Sequence, residues 1–255
     1  MFSFRRKNKQ HIHASLVFKQ MGDSALMIQM GDKISIEINL EVHQLVSHIN
    51  NLKLPFIFEI VPAYSSLTIH YDPIKISNKG LESLIRDIWI STNSEIKINT
   101  DSKTVIIPTL YGGDYGPDLA SVSDFLSLSE NDIVDFHTSS EYFVYALGFS
   151  PGFPYLGGLP NQIHCPRLSS PRVDVPSGSV AIAESQTGIY PMNSPGGWRI
   201  IGKTPVKMFD PNNSTPAILS PGDKLRFKVL SSERDFLEIK KYVDNGEYES
   251  EIVHE

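Results

Sequence analysis

The chain has 255 residues, 40% hydrophobic and 20% charged, enough for one large core or two modest ones. A formal net charge of -6 speaks against a nucleic-acid surface, which normally shows a basic balance, and a single cysteine, Cys165, excludes an internal disulfide and fits a reducing cytosol. No stretch approaches the length of a membrane span, and the basic start MFSFRRKNKQ leads into the broken QHIHASLVFKQMGDS rather than the apolar run of a secretory signal, so it reads as a frayed end.

In chain order, HASLVFKQMG and ALMIQMG read as two strands around the turn Gly22-Asp23-Ser24. NLEVHQLVSHINNL repeats Leu40, Val42, Leu45, Val46, Ile49 and Leu52 at helical spacing. FIFEIVPAYSSLTIHYD gives two more short strands split at Pro62. NKGLESLIRDIWIST is a second amphipathic helix, with Leu81, Leu84, Ile85, Ile88 and Trp89 on one side and Asn78 in the place of an N-cap. EIKINTDSKTVIIPTLY returns to strand. This order predicts an α+β sandwich domain over residues 1–100, its helices on one face of an antiparallel sheet.

The character changes near Asp101. Two short helical segments follow, Pro117 to Leu126 and Ser129 to His137, and Ser129 with Asp132 three residues on resembles a capped helix start. EYFVYALGF is a strongly β run, and glycine or proline then punctuates the chain at almost every turn. Short, closely spaced strands predict a closed or nearly closed β-barrel over residues 101–232. The acidic tail 233–255 is expected to pack only in its first part.

Candidate chemistry is sparse. GWRIIGKT, residues 197–204, carries the letters of a phosphate loop. Yet Trp198, Arg199, Ile200 and Ile201 favour an extended strand, Pro205 pushes Thr204 the same way, and no helical pattern follows. Trp198 to Ile201 is therefore read as a strand and Gly202 to Pro205 as its exit turn. The eight histidines are scattered without zinc spacing, so no metal site is expected. No serine sits in a Gly-x-Ser-x-Gly elbow, and Ser179 reads as a turn or strand residue.

Two segments are denser. GFSPGFPYLGGLP crowds Phe149, Phe153, Tyr155 and Leu156 into a proline-rigid loop, which is either a core plug or a recognition surface. QTGIYPMNSPGGWR places Gln186, Tyr190, Trp198 and Arg199 beside turn glycines, the mixture of rigid aromatic area and polar grip found in ligand pockets. Arg167 and Arg172, in PRLSSPR, add two cations suited to a carboxylate or phosphate. Short strands and tight turns should bring these segments to one barrel face. The competing reading has the aromatics in the barrel core and the arginines bracing loops through carbonyl oxygens.

YGGDYGPDL, LGFSPGFPYLGGLP, PRLSSPRVDVPSGSVAIAESQTGIYP and SPGGWRIIGKTP closely resemble the family of bacterial 5-oxoprolinase B subunits, also known as allophanate hydrolase subunit 1 or KipI. GDSALMIQMG, EIVPAYSSLTIHYDP and PAILSPGDKLRF extend the likeness over roughly Met21 to Val229. The resemblance implies an N-terminal α+β domain, a C-terminal cyclophilin-like barrel and a cytoplasmic protein that is inactive alone. Its implied partners are a KipA-type C subunit and a LamB/YcsF-type A subunit, which with ATP open 5-oxoproline to glutamate. Which member of the complex binds ATP, and which residues are catalytic, stays open. The same resemblance also admits an inhibitor that docks on a sensor histidine kinase through the barrel groove. On either reading the site lies on the barrel, lined by Phe149, Phe153, Tyr155, Arg167, Arg172, Gln186, Tyr190, Trp198 and Arg199, with Arg172 or Arg199 holding a carboxylate or phosphate.

Overall fold

In the computed structural model, which describes residues 16–92 and 102–254, Val17–Met21 (β1) and Ala25–Gln29 (β2) pair as a hairpin. Gly22 turns the corner at φ 66, a conformation that glycine adopts without penalty. Ile36–Asn51 (α1) starts at Ser35, whose hydroxyl accepts the Ile38 N–H. Ile57–Pro62 (β3), Ser66–Tyr71 (β4) and Asn78–Thr92 (α2) follow. The four strands form an antiparallel sheet in the order β1-β2-β4-β3.

Alternation along these strands sends Leu26, Ile28, Leu67, Ile69 and Tyr71 to one side. There they pack with Val42, Leu45 and Ile49 of α1 and with Leu81, Ile85, Ile88 and Trp89 of α2. The helices therefore cover one face, as the spacing predicts. The cap of α2 is a correction. Ser77, not Asn78, accepts the Gly80 N–H (3.1 Å), and Asn78 is the first helical residue. Both residue types favour caps, and the choice between neighbours falls to the fold. The start of the EIKINTDSKTVIIPTLY strand lies outside the described residues.

The chain divides into two units, Met1–Lys97 and Ile98–Glu255. The second opens with Lys103–Tyr111 (β5), a 3-10 turn at Gly113–Tyr115, Leu119–Leu126 (α3) and Glu130–Ser139 (α4). The Ser129 hydroxyl accepts the Asp132 N–H (3.1 Å) and the Asp132 carboxylate accepts the Ser129 N–H (3.1 Å), a reciprocal capping box. The strands are Tyr142–Leu147 (β6), Pro154–Gly157 (β7), Arg172–Val175 (β8), Ser179–Ala183 (β9), Gln186–Ile189 (β10), Ser194–Gly196 (β11), Arg199–Lys203 (β12) and Lys224–Val229 (β13). Glu233–Asp244 (α5) and Glu251–His254 (β14) complete the unit.

Seven strands close a barrel in the order β12-β9-β10-β7-β6-β13-β5, with β5 returning to β12. The β13–β5 pair is parallel, and β8 with β11 forms a separate ribbon. Every barrel strand sends side chains inward, among them Ile107, Val144, Leu156, Val180, Ile182, Ile189, Ile201 and Phe227. The tail differs from expectation. Besides α5, which buries Phe236, β14 pairs antiparallel with the first half of β5, so the end of the described chain is also ordered onto the barrel.

One buried polar chain crosses this interior. Thr187 Oγ1 donates to the Ala181 carbonyl (3.1 Å), which leaves it to accept from His137 Nε2 (2.9 Å), and His137 Nδ1 then accepts the Tyr111 hydroxyl (2.8 Å). The imidazole is thereby held neutral, and burial pushes its pKa down to about 3 from 6.5. The unfolded chain takes up this proton near pH 6.5 and the folded chain only near pH 3. Stability is therefore full above pH 6.5 and is lost as pH falls, by about 2 kcal/mol between pH 7 and pH 5. Urea unfolding at pH 7, 6 and 5 checks this. His137→Gln should remove that share of the pH slope, and an unchanged slope in the variant would refute it.

Candidate functional site

The outward-facing residues of the barrel carry a different pattern. On β9, Val180 and Ile182 enter the interior, while Ala181 and Ala183 face out with Ile200 of β12. Small side chains make a low floor, and Phe153 lies on it. Its ring makes edge-to-face contacts with Phe149, Tyr155, Tyr190 and Trp198, with centroids 5.6, 5.3, 5.5 and 5.7 Å away. Gly188 of β10 lets them in. A Cβ there would stand 2.9 Å from the Phe153 ring and 3.1 Å from that of Trp198. Gly196 does the same for Tyr190, whose hydroxyl would lie 2.3 Å from an added Cβ.

Phe153, Tyr190 and Trp198 are buried, Tyr155 is half-buried and Phe149 is 66% exposed. Phe149 holds φ 62, uncommon for a bulky residue, on a loop fastened by Gly148 N–H to the Phe153 carbonyl (3.1 Å) and Phe153 N–H to the Ser150 carbonyl (3.0 Å). Gln186 opens β10 opposite Ala183, which puts it on the same outer face. The aromatic residues named from the sequence thus converge, partly as a packed cluster and partly as a rim.

The three arginines have different surroundings. Arg172 Nη2 binds Asp118 Oδ1 at 2.7 Å, while its Nη1 is buried without a hydrogen-bond partner. Arg199 braces loops, its Nε donating to the Pro166 carbonyl (2.9 Å) and its Nη1 to Ser121 Oγ (3.2 Å). Arg167 is exposed, makes no ion pair among the described residues, and sets its guanidinium carbon 5.9 Å from the Trp198 ring centroid. Burial raises the pKa of the Tyr190 hydroxyl, opposed by a hydrogen bond with the Trp198 backbone and by the charges of Arg167 and Arg172. Burial likewise raises that of Tyr155, opposed by Arg167.

Sequence reasoning missed Asp118. This buried carboxylate accepts the Ile200 N–H on Oδ2 (2.7 Å) while its own N–H donates to the Ile200 carbonyl (2.9 Å), so it ties the turn before α3 to β12 as well as holding Arg172. The available signal was an aspartate directly after Pro117, just ahead of a helix.

Chemically, the face sets aromatic rings beside guanidinium groups. Burial pushes the Cys165 thiol up to about 11, which keeps it protonated and inert near neutrality. Ser179 is the buried first residue of β9. Arg199–Lys203 is strand, paired with β9 and β5, and no helix follows it, so GWRIIGKT forms no phosphate loop. The strand runs on through Gly202 and Lys203, so the exit turn is shorter than expected. No helix among the described residues is long and apolar enough to cross a membrane.

The family of the carboxyltransferase domain, subdomain C and D, matches residues 16–219. The 5-oxoprolinase B subunit of Bacillus subtilis (strain 168) is 42% identical over 228 residues, covering 86% of this chain and 94% of the relative. That of Escherichia coli O157:H7 is 38% identical over 208 residues, covering 81% and 93%. Among solved structures, the K. lactis urea amidolyase superposes with a TM-score of 0.78 at 20% identity over 96% of this chain and 16% of that one, a likeness of fold.

Proposed function

The chain belongs to the family of 5-oxoprolinase B subunits, within the carboxyltransferase subdomain C and D proteins, and on that footing we propose that it is the B subunit of an ATP-dependent 5-oxoprolinase with no turnover of its own. The complex would convert 5-oxo-L-proline, ATP and water to L-glutamate, ADP and phosphate in the cytoplasm. Its other members would be a KipA-type C subunit and a LamB/YcsF-type A subunit. The observation that carries this reading is the outer barrel face, where aromatic walls and guanidiniums stand together while the nearby thiol is held protonated. Such a face can orient a small substrate without attacking it.

The chemistry suits a division of labour. A lactam resists water, and phosphoryl transfer to its carbonyl oxygen makes the carbon a better electrophile. ATP is then a substrate of the assembled complex, and GWRIIGKT offers it no phosphate cradle here. This chain's contribution is to seat the lactam and exclude water around it. Reconstitution tests the reading. ATP-dependent glutamate formation by the three purified proteins should fall to background when this chain is left out, and this chain alone should form none. Full turnover by the other two would remove the proposal.

A further inference from the structure

We propose that Arg167, together with the unpartnered Nη1 of Arg172, forms a carboxylate-recognising subsite against the Tyr190–Trp198 wall of the barrel face. On sequence alone Arg172 or Arg199 was the candidate for that task. Arg199 is committed to the Pro166 carbonyl and Ser121. Arg172 is committed through Nη2 to Asp118, and the second oxygen of Asp118 is occupied by the Ile200 N–H. What remains is the buried, unpartnered Nη1 of Arg172 and the whole fork of Arg167. A buried donor without an acceptor is unfavourable unless a ligand or water fills it.

The setting narrows the ligand. Arg167 lies toward the face of Trp198, so its fork is partly oriented before any ligand arrives. Arg172 pairs with Gly196, which adjoins the Tyr190 hydroxyl, and the Leu168 N–H next to Arg167 donates to the Gly197 carbonyl (2.8 Å), so both arginines flank the segment that carries Trp198. Gly196 and Gly188 keep Cβ atoms away from Tyr190 and from the Phe153–Trp198 contact. Rigid aromatic area beside a guanidinium fork suits a small, flat, weakly polar ring bearing one carboxylate. A large polyanion fits poorly, since the chain as a whole carries a net charge of -6. That the ring is the lactam of 5-oxoproline rests on the function proposed above, whereas the carboxylate subsite does not.

Calorimetric titration of the full chain with 5-oxoproline, its uncharged analogue 2-pyrrolidinone, and succinate separates the two ideas. The native chain should bind 5-oxoproline more tightly than 2-pyrrolidinone. Arg167→Gln should weaken 5-oxoproline by roughly ten- to a hundredfold, the range of a hydrogen bond to a charged group, while leaving 2-pyrrolidinone unchanged. Arg167→Lys should recover part of the loss. Because Arg167 is exposed, the melting temperature should not move in either variant. Binding of succinate but not 5-oxoproline, lost in Arg167→Gln, would keep the subsite and remove the 5-oxoproline reading. Equal 5-oxoproline affinity in the native chain and Arg167→Gln, or no carboxylate binding by the chain at all, would overturn the subsite.

Discussion

Asp118→Ala is expected to cost about 3 kcal/mol of folding stability, the low end for breaking a buried ion pair because Arg172 is 30% exposed. Two things are lost at once. The Arg172 guanidinium keeps its burial but loses its carboxylate, and the Ile200 N–H loses its acceptor, which is one of the ties between the turn before α3 and β12. Asp118→Asn separates them, since an amide oxygen can still accept from Ile200 N–H while the charge is gone. It should fall between the native chain and Asp118→Ala. Adding Arg172→Met to Asp118→Ala should recover part of the loss, because the stranded cation is removed with its partner. Urea unfolding of the four proteins gives the comparison. An Asp118→Ala midpoint indistinguishable from native would mean that this junction carries no stability.

The neighbouring turn should be as sensitive for a steric reason. At Gly116 an added Cβ would stand 2.1 Å from the Ile201 carbonyl oxygen and 2.6 Å from the Gly112 nitrogen. Both are backbone atoms, so no rotamer change relieves the clash. The φ of −135 is open to any residue, which makes the requirement one of space and not of conformation. Gly116→Ala should therefore destabilise by about 3 kcal/mol, at the upper end of overpacking costs. It should also loosen the bonds from Gly112 N–H to Ile201 and from Asp118 N–H to Ile200. Gly113→Ala is the control. It has φ 52 with nothing within 4 Å of the new Cβ, so it should carry only left-handed strain of about 1 kcal/mol. Hydrogen exchange at the Gly112 and Asp118 amides should rise in Gly116→Ala and stay near native in Gly113→Ala. Equal protection in both variants would contradict the close approach.

Much of the architecture was legible because it is periodic. The helical stripe from Val42 to Ile49 and the alternation of Leu26 with Ile28 are local facts of sequence, and so is the Ser129–Asp132 box. β14 was not legible. Four residues without turn signals become a strand only because the first half of β5 offers a free edge. The aromatic rim was visible as rings crowded among glycines, since Gly188 and Gly196 lie in the same segment as Tyr190 and Trp198. The roles of the arginines were hidden, because partners far along the chain decide them. Arg172 finds Asp118 54 positions away, and Arg199 finds Ser121 78 away. Composition identifies a guanidinium, but only the fold shows whether it is already engaged.

The order in which the barrel closes bears on how the chain is made. β5 is its first strand to be synthesised, yet its barrel partners β12 and β13 are the last two. The hairpins β6–β7 and β9–β10 can form from neighbouring sequence as they leave the ribosome. β5 must wait with both edges bare and with Val105 and Ile107 unburied until nearly the whole unit has emerged. Closure through such distant pairing is slow, and the waiting strand is where nascent chains would find one another first. Chaperone contact during synthesis is therefore expected to centre on β5 and to end once β13 is in place.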